Sequence, residues 1–465
     1  MIKMTRLDDY PTTRLADFIT DLSFDDIPNE VVEKMKDCFL DFLRVSIHSS
    51  TYDFSKLAYQ VGKRVGGDGK CTILVHGDKT TSVNAAFVNG TFAHGIESDD
   101  THVSSVLHPG VTILPSVLAI GEEEHIDGRQ LITAAVAGYE TMIRIGEAVM
   151  PSHMIENGFH TTATIGTFGS AVAVGKLLRL SSKKMSNLLG FAASHVSGLN
   201  VFYDWGSMLK GSHGGKASTS GIWPALMAYV GMDAPPNILE KRGGFCQVYS
   251  NKYDLKKITD RLGEEFKVMN VEFKPHSGSR TLHSAIDAAH NARNLHRVEA
   301  NNLKAITVGT TNYIVEKYSE SIFPYVYKPR DVYTAQQNIP FCIALGLIKG
   351  SNHFQDYWQN WRDSNILETA KLVRLIHDPE VEKEFPNGFI SRVTFKLNNG
   401  EEIIEYVKHP KGGPKNPFTR TEFLDLFRKY TLDIIPANQI EEIIKTVEEL
   451  DKIQNVSELL ELTCK

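Results

Sequence analysis

The chain contains a series of apolar segments that are rich in glycine and alanine. Examples are SVNAAFVNGTFAHGI from residue 82, ATIGTFGSAVAVGKLLRL from residue 163 and ASTSGIWPALMAYVG from residue 217. Their apolar residues recur at helical spacing, and their small side chains allow helix backbones to approach closely. We therefore predict a tightly packed bundle of helices over most of residues 12–270.

The sequence pattern changes near residue 270. KVMNVEFKPH and NNLKAITVGTTNYIVEKY alternate like strands, and FISRVTFKLNNGEEIIEYVKH holds two alternating runs around Asn-Asn-Gly, which indicates a β-hairpin. The Gly/Pro segment KGGPKNP then leads to TRTEFLDLFRKY and QIEEIIKTVEELDKI, which have helical periodicity. We predict a mainly α protein with a large all-helical domain and a smaller inserted α+β domain. The predicted boundaries are 1–269 for the first part of the helical domain, 270–405 for the α+β domain and 406–465 for the C-terminal part of the helical domain.

Length and charge exclude several classes of protein. A chain of 465 residues is too long for one ordinary core, and its net charge of −6 leaves nucleic-acid binding to a local basic patch, of which none is evident. Apolar stretches such as GVTILPSVLAIG are shorter than the roughly 18 residues of a membrane span. The N-terminal segment carries acids where a signal peptide needs an apolar core. We predict a cytoplasmic protein that binds neither nucleic acid nor membrane.

Three segments place a basic or imidazole side chain directly before a predicted helix that begins with small residues. They are HPG from residue 108, HTT from residue 160 and KGSHGGK from residue 210. Helix N-termini carry free N–H groups and a partial positive charge, so each is a potential anion site. If the three starts converge, they form an electropositive pocket for a multiply charged carboxylate. The alternative is that each group only closes its own helix.

The stretch HGIESDDTHVSSVLHPG, from residue 94 to residue 110, adds carboxylates to this pattern. Glu97, Asp99 and Asp100 lie within a turn or two of His108, where a carboxylate can set the tautomer of an imidazole or bind a substrate hydroxyl. Histidine and aspartate also bind zinc and iron, so a metal site is the rival interpretation. The spacings match no common ligand set, and we expect no metal.

A fourth basic cluster lies in FKPHSGSRTLHSAIDAAH, in the predicted small domain. Arg280 suits bidentate binding of a carboxylate, and Lys274 supplies a point charge. If a helix begins near residue 279, His283 and His290 share one face of it. A solvated basic turn, with His290 packed at the surface, is the alternative.

Taken in order, VNGTFAHGIESDDTHVSSVLHPG, GFHTTATIGTFGSAVAVGKLL, LKGSHGGKAS and FKPHSGSRTLHSAID resemble the MmgE/PrpD family, over about residues 10–430. That family includes 2-methylcitrate dehydratases, cis-aconitate decarboxylases and iminodisuccinate epimerases. The resemblance implies a homodimer with a cofactor-free active site between the two domains. By motif it implies catalytic roles for Asp99, Thr101, His108, His160 and Lys210, and substrate-binding roles for His213, Lys274, Arg280 and His283.

The chain departs from the family pattern at several of these motifs. Gly110 replaces the usual Ser after His-Pro, Glu97 stands where Asp is common, Thr161 replaces a Pro, and Gly211 follows Lys210 where Pro is frequent. The tryptophan-rich element of 2-methylcitrate dehydratases is absent. The resemblance therefore leaves the substrate open.

The reactions of this family share one step, the transfer of a proton at a carbon beside a carboxylate, where cations and helix N-termini stabilise the developing charge. Our first hypothesis is a cofactor-independent lyase that removes water or CO₂ from a citrate- or aconitate-like acid. His108 or His160 is then the acid or base, and Lys210, Lys274 and Arg280 hold carboxylates. An epimerase or isomerase of a dicarboxylate such as iminodisuccinate is the second hypothesis, and a non-catalytic carboxylate-binding protein is the third.

Overall fold

The computed structural model describes residues 10–385 and 388–465, and it is 58% helical with 9% strand, which confirms the mainly α fold. Within these residues, no helix is long and apolar enough to cross a lipid bilayer. The two short strands β1 (Cys71–Thr72) and β2 (Lys79–Thr80) pair antiparallel. The first part of the chain forms helices α1 (Pro11–Asp21), α2 (Asn29–Ser49), α3 (Asp53–Val65), α4 (Ser82–His94), α5 (Gly110–Glu123), α6 (Gly128–Val149), α7 (Ser152–Ile155), α8 (Thr161–Leu177), α9 (Ser182–His195), α10 (Phe202–Trp205), α11 (Leu209–Tyr229), α12 (Phe245–Tyr249) and α13 (Lys256–Thr259).

Glycines bring the central helices into backbone contact. Gly90 of α4 faces Gly215 of α11, and a Cβ added at Gly90 would lie 2.9 Å from the Cα of Gly215. In the same way, a Cβ added at Gly138 of α6 would lie 2.8 Å from the carbonyl oxygen of Gly169 in α8. No side chain fits between these pairs, so the close packing expected from the Gly/Ala-rich segments is confirmed.

The next part of the chain forms a four-stranded sheet with helices around it. The strand order is β4-β3-β5-β6, with β3 and β4 parallel and the other pairs antiparallel. Helix α14 packs on β5 and β6. The elements are α14 (His283–His296), β3 (Leu303–Thr310), α15 (Asn312–Lys317), α16 (Val332–Gln336), α17 (Ile339–Lys349), α18 (Phe354–Asn360), α19 (Ser364–Ala370), β4 (Val373–His377), α20 (Pro379–Glu382), β5 (Ser391–Leu397) and β6 (Glu402–Val407).

The predicted hairpin around Asn-Asn-Gly is confirmed as β5 and β6, but two other strand predictions need correction. The run NNLKAITVGTTNYIVEKY forms β3 and then turns into helix α15, because the hydroxyl of Thr311 caps that helix by accepting from the N–H of Ile314. The strand predicted for KVMNVEFKPH is wrong. Its first residues form a 3₁₀ helix, Lys267–Asn270, and Glu272 beyond it makes only an isolated β-bridge with Thr101.

The last helices, α21 (Arg420–Thr431), α22 (Ala437–Glu448) and α23 (Ser457–Glu461), return to the first part of the chain. Helices α21 and α22 pack on α2. The N–H of Val456 donates to the carbonyl oxygen of Ile126 at 3.0 Å, and the N–H of Gly128 donates to that of Ile453 at 3.1 Å. The α+β unit is thus inserted between two parts of one helical body.

We predict that Gly215→Ala destabilises the protein. The added methyl group would lie 2.0 Å from the carbonyl oxygen of Phe87, so α4 and α11 must move apart. Overpacking of this kind costs about 1–3 kcal/mol in the free energy of unfolding, measurable by chemical denaturation followed by circular dichroism. Gly67→Ala is the control, since its Cβ meets no atom closer than 3.7 Å. Equal stability of the two variants would contradict the close contact of α4 with α11.

Candidate active site

Four imidazoles from different segments of the chain lie together inside the protein. The ring centre of His94, at the end of α4, is 5.1 Å from that of His108 and 5.8 Å from that of His160. The ring centre of His160 is in turn 5.0 Å from that of His213 on α11. All four residues are buried. The structure thus brings together the three segments for which we considered convergence.

One detail of that prediction is wrong. Helix α11 begins at Leu209, so Lys210 and His213 lie in its first two turns rather than before it. Glycines in this part of α11 allow the end of α4 to pack directly against it. A Cβ added at Gly214 would lie 3.0 Å from the Cβ of His94. Lys210 and His213 therefore reach the site from within α11.

His94 was not among the predicted site residues, although it lies at the centre of the cluster. Its Nδ1–H donates to Oδ2 of Asp99 at 2.8 Å. Its Nε2 is buried and has no hydrogen-bond partner in the described part of the chain. Burial, followed by the charge of Lys210, lowers the pKa of His94. The position of an imidazole five residues before Asp99 is the sequence signal that indicates this contact.

Asp99 is the negative charge at the centre of this group. Its carboxylate lies 2.8 Å from Nδ1 of His94, 3.3 Å from Nδ1 of His108 and 3.8 Å from Nζ of Lys274. Burial alone would raise the pKa of Asp99, but its interactions with His108, His94 and Lys274 outweigh burial and hold the pKa well below its usual range. Asp99 is therefore ionised at neutral pH.

The contacts of His108 fix its tautomer. Its Nδ1 lies 2.7 Å from the carbonyl oxygen of Asp100 and 2.9 Å from Oγ1 of Thr101. A carbonyl oxygen only accepts, so Nδ1 carries the hydrogen and Nε2 keeps its lone pair. Burial is the main cause that places the pKa of His108 well below its usual value. His108 is thus a neutral imidazole whose Nε2 can take a proton.

Asp100, the neighbour of Asp99, has the opposite surroundings. Its carboxyl group accepts hydrogen bonds from the hydroxyl of Tyr139 at 2.8 Å and from the N–H of Gly110 at 3.0 Å. Burial and then the negative charge of Asp41 raise the pKa of Asp100 to about 8. Asp100 therefore carries a proton at neutral pH, and it joins the start of α5 to α6.

His160 and His213 form a second pair at the other side of His94. Their Nδ1 atoms are 2.9 Å apart, so one ring donates to the other. Burial and then neighbouring positive charge lower both pKa values, that of His213 to about 3. The ring centre of Phe202 lies 4.9 Å from that of His160 and covers the pair on one side.

The two lysines of the cluster bind the acid-rich loop. Nζ of Lys210 lies 2.6 Å from Oε1 of Glu97, and both side chains are buried. Nζ of Lys274 donates to the carbonyl oxygen of Glu97 at 3.2 Å, and burial lowers the pKa of Lys274. Glu97, which we expected near His108, thus pairs with Lys210 instead.

Arg280 and His283 make their hydrogen bonds elsewhere. The guanidinium of Arg280 donates to Glu272 at 2.6 Å and to the carbonyl oxygens of Lys411 and Pro410 at 2.8 and 3.1 Å. It also lies 3.1 Å from Nδ1 of His283. The acceptors of Arg280 thus belong to the Gly/Pro connector and to the segment between the domains, and not to the cluster of four imidazoles.

The free space inside the cluster is small. A cavity of about 20 Å³, enough for a water molecule, is lined by residues that include His94, Glu97, Lys210, Phe202 and Gln336. A larger molecule can enter only if side chains move, and the ion pair between Lys210 and Glu97 is the first obstacle. Among the described residues, no group of three or more His, Cys, Asp or Glu side chains is arranged to hold a metal ion.

A buried set of imidazoles, a carboxylate and lysines thus lies where a helical body meets an α+β unit. The chain belongs to the MmgE/PrpD family. Residues 13–258 match the MmgE/PrpD N-terminal domain, and residues 276–452 match the MmgE/PrpD C-terminal domain.

Three relatives are similar to this chain over nearly its whole length. A cis-aconitate decarboxylase of Aspergillus terreus is 26% identical over 468 residues, which cover 97% of this chain and 95% of the relative. The cis-aconitate decarboxylase-like protein oryM of Aspergillus oryzae is 25% identical over 472 residues, with 97% and 96% covered. The human (Homo sapiens) cis-aconitate decarboxylase is 25% identical over 464 residues, with 97% and 94% covered.

We predict that Asp99→Asn and Asp100→Asn have opposite effects on stability. The folded pKa of Asp100, about 8, exceeds its ordinary value of 3.8, so the folded state binds the extra proton and stability falls as pH rises between these values. Asn imitates the protonated acid, so Asp100→Asn should keep or raise the melting temperature at pH 7 and flatten its decline from pH 5 to pH 8. Asp99→Asn should lower the melting temperature at pH 7, because Lys274 loses its buried partner.

The measurement is thermal unfolding of the three proteins by circular dichroism across that pH range. An Asp100→Asn variant that is as unstable at pH 7 as Asp99→Asn would show that both carboxyl groups are ionised.

Proposed function

We propose that this protein is a cofactor-independent lyase that removes CO₂ or water from a small di- or tricarboxylic acid of the aconitate or citrate type, with decarboxylation as the favoured reaction. The observation that carries the proposal is His108, whose neutral imidazole is oriented by Asp100 and Thr101 beside an ionised Asp99 and two lysines. The names of the relatives support an unsaturated tricarboxylate as the substrate.

The site has the groups that such a decarboxylation requires. The bond between a carboxylate carbon and its neighbouring carbon breaks, CO₂ leaves, and the electron pair shifts into the adjacent unsaturated carboxylate system. A proton from an imidazolium then adds to carbon, which balances the charge. Lys210 and Lys274 stabilise the negative charge while it is delocalised, as buried cations do most effectively where water is excluded.

The substrate itself supplies the charge that makes an imidazole an acid. Burial keeps His108 and His160 neutral, because it places their pKa values well below the usual range. A polyanion next to them favours the protonated form and raises these pKa values. One of its carboxylates replaces Glu97 as the partner of Lys210. Binding of the substrate thus separates Lys210 from Glu97 and, in the same step, favours protonation of the imidazole that donates the proton.

Epimerisation is the second candidate, and one observation favours it. His108 and His160 both lie next to His94, at ring distances of 5.1 and 5.8 Å, so two imidazoles approach one region from different segments of the chain. An epimerase needs two such groups on opposite faces of one carbon. Incubation with di- and tricarboxylates in D₂O separates the reactions by NMR. Loss of CO₂ or water indicates a lyase, and deuterium at a carbon of otherwise unchanged acid indicates an epimerase.

That experiment also tests the whole proposal. If no acid of the citrate, aconitate and iminodisuccinate types gives a product or takes up deuterium, that result would contradict an acid–base enzyme for polycarboxylates. cis-Aconitate is the first compound to examine, because several relatives are named for it.

We predict different kinetic defects for His108→Ala and Lys210→Ala. Without the proton-transfer group, His108→Ala should lower kcat by about 10² or more while KM changes little. Lys210→Ala removes a carboxylate partner in ground and transition states, so KM should rise at least as much as kcat falls. Steady-state kinetics on the acid identified by NMR measures both, with circular dichroism as the folding control. A folded His108→Ala protein with near-normal kcat would transfer the acid–base role to His160.

We further propose a homodimer. A short stretch around α10 exposes large apolar side chains beside the site, and contiguous apolar surface of this kind marks protein interfaces. These side chains are Leu199, Val201, Trp205, Met208 and Leu209. Light scattering at micromolar concentration is expected to give twice the chain mass of 51.9 kDa. Trp205→Glu should shift the mass toward one chain, and a wild-type mass near 51.9 kDa would contradict the dimer.

A further inference from the structure

Several buried polar atoms lack a partner around the small cavity inside the imidazole cluster. Among the described residues, four side chains that line this cavity each have a buried atom without a hydrogen-bond partner: Nε2 of His94, the hydroxyl of Tyr333, and the amide oxygens of Gln336 and Gln337. A buried polar group without a partner is unfavourable. Their concentration here indicates a place where a ligand supplies the missing hydrogen bonds.

The amide of Gln336 has one possible orientation. Its Nε2 lies 3.0 Å from the carbonyl oxygen of Ile96, which only accepts, so the nitrogen and not the oxygen faces Ile96. The hydroxyl of Ser277 donates to the same carbonyl oxygen, so it accepts the second hydrogen of Nε2, at 2.6 Å. Both hydrogens of the amide are thus used. Oε1 of the fully buried Gln336 is the atom left without a partner in the described part of the chain.

Gln336 is held in place where the α+β unit meets the acid-rich loop. It is the last residue of α16, and the side chain of Asp331 caps the start of that helix. Two residues after Gln336, the side chain of Asn338 caps the start of α17. The hydrogen bond from Nε2 to Ile96 then joins this corner to the loop that carries Asp99. Oε1 therefore has a fixed position at the cavity.

The chemistry of the cavity limits what Oε1 can bind. Lys210, which also lines the cavity, is paired with Glu97 at 2.6 Å. The Nδ1–H of His94 donates to Asp99, so its Nε2 is an acceptor, as Oε1 of Gln336 is. An ionised carboxylate only accepts and would leave both atoms without a hydrogen. A hydroxyl group or a protonated carboxyl group supplies one.

We propose that Gln336 is a further substrate-binding residue, whose Oε1 accepts a hydrogen bond from an O–H group of the bound acid. The proposal rests on the proposed function for the class of ligand. It adds that the ligand presents one hydrogen-bond donor, either a hydroxyl or a protonated carboxyl, beside the ionised carboxylates that the lysines bind. Gln336 thus contributes to the choice among polycarboxylic acids.

Calorimetric titration with two matched pairs of acids at pH 8, where their carboxyl groups are ionised, tests this role. Citrate differs from tricarballylate by one hydroxyl group. Succinamate differs from succinate by a carboxamide, which replaces one carboxylate and carries hydrogen-bond donors as a protonated carboxyl does. Each affinity ratio, citrate over tricarballylate and succinamate over succinate, is compared between the wild-type protein and Gln336→Met.

Gln336→Met should lower one of these ratios about three- to tenfold, as expected for the loss of one hydrogen bond between neutral groups. A lower citrate ratio identifies a hydroxyl as the donor, and a lower succinamate ratio identifies a protonated carboxyl. Ile96 keeps its hydrogen bond from Ser277, so the variant should fold, which circular dichroism checks. Gln336→Leu removes the amide with a smaller side chain and provides a second measurement.

Ser277→Ala is the control for the anchoring of the amide. It removes one partner of Nε2, while the bond to Ile96 keeps Oε1 in place. Ser277→Ala should therefore leave both ratios unchanged. A decrease as large as that of Gln336→Met would show that the packing of the loop, and not Oε1, selects the ligand.

Two negative results have different meanings. If the acids bind and Gln336→Met leaves both ratios unchanged, the role of Gln336 is refuted and Oε1 binds only water, while the proposed function stands. If none of the four acids binds the wild-type protein, that result contradicts the proposed function and the role of Gln336 together.

Discussion

The buried charge of Asp99 is the constraint on which the rest of the site depends. A carboxylate removed from water is stable in its ionised form only when cations or hydrogen-bond donors surround it. Here the hydrogen-bond donor is Nδ1–H of His94, and the positive charge comes from Lys274, whose Nζ lies 3.8 Å away. The same charge therefore orients His94 and binds Lys274 at the site.

Close packing of helices makes this arrangement possible. Gly90 and Gly215 allow α4 and α11 to touch, and Gly214 leaves room for His94. With larger residues at these positions the helices would separate, and Lys210 would move away from the acid-rich loop. The glycines thus have a direct consequence for the chemistry, because distances of about 3 Å between charged groups depend on distances between backbones.

Neighbouring residues of one short motif have different chemical states for the same reason. Asp99 faces imidazoles and a lysine and is ionised, whereas Asp100 faces Tyr139, Gly110 and the charge of Asp41 and keeps its proton. The carbonyl oxygen of Asp100 fixes the tautomer of His108. The carboxylate of Asp99 therefore supplies negative charge, and the backbone of Asp100 orients the imidazole of His108.

The sequence alone determined the local structure and the types of functional group. Helical periodicity, the Asn-Asn-Gly hairpin and the motifs around His108, His160, Lys210 and Lys274 depend on residues close together in the chain, so they were predictable. The tertiary structure decided which groups meet. It placed His94 at the centre, paired Lys210 with Glu97, turned Arg280 toward the connector and folded the start of KVMNVEFKPH into a 3₁₀ helix. These outcomes depend on contacts between segments far apart in the chain, where the local pattern carries no information about distance or burial.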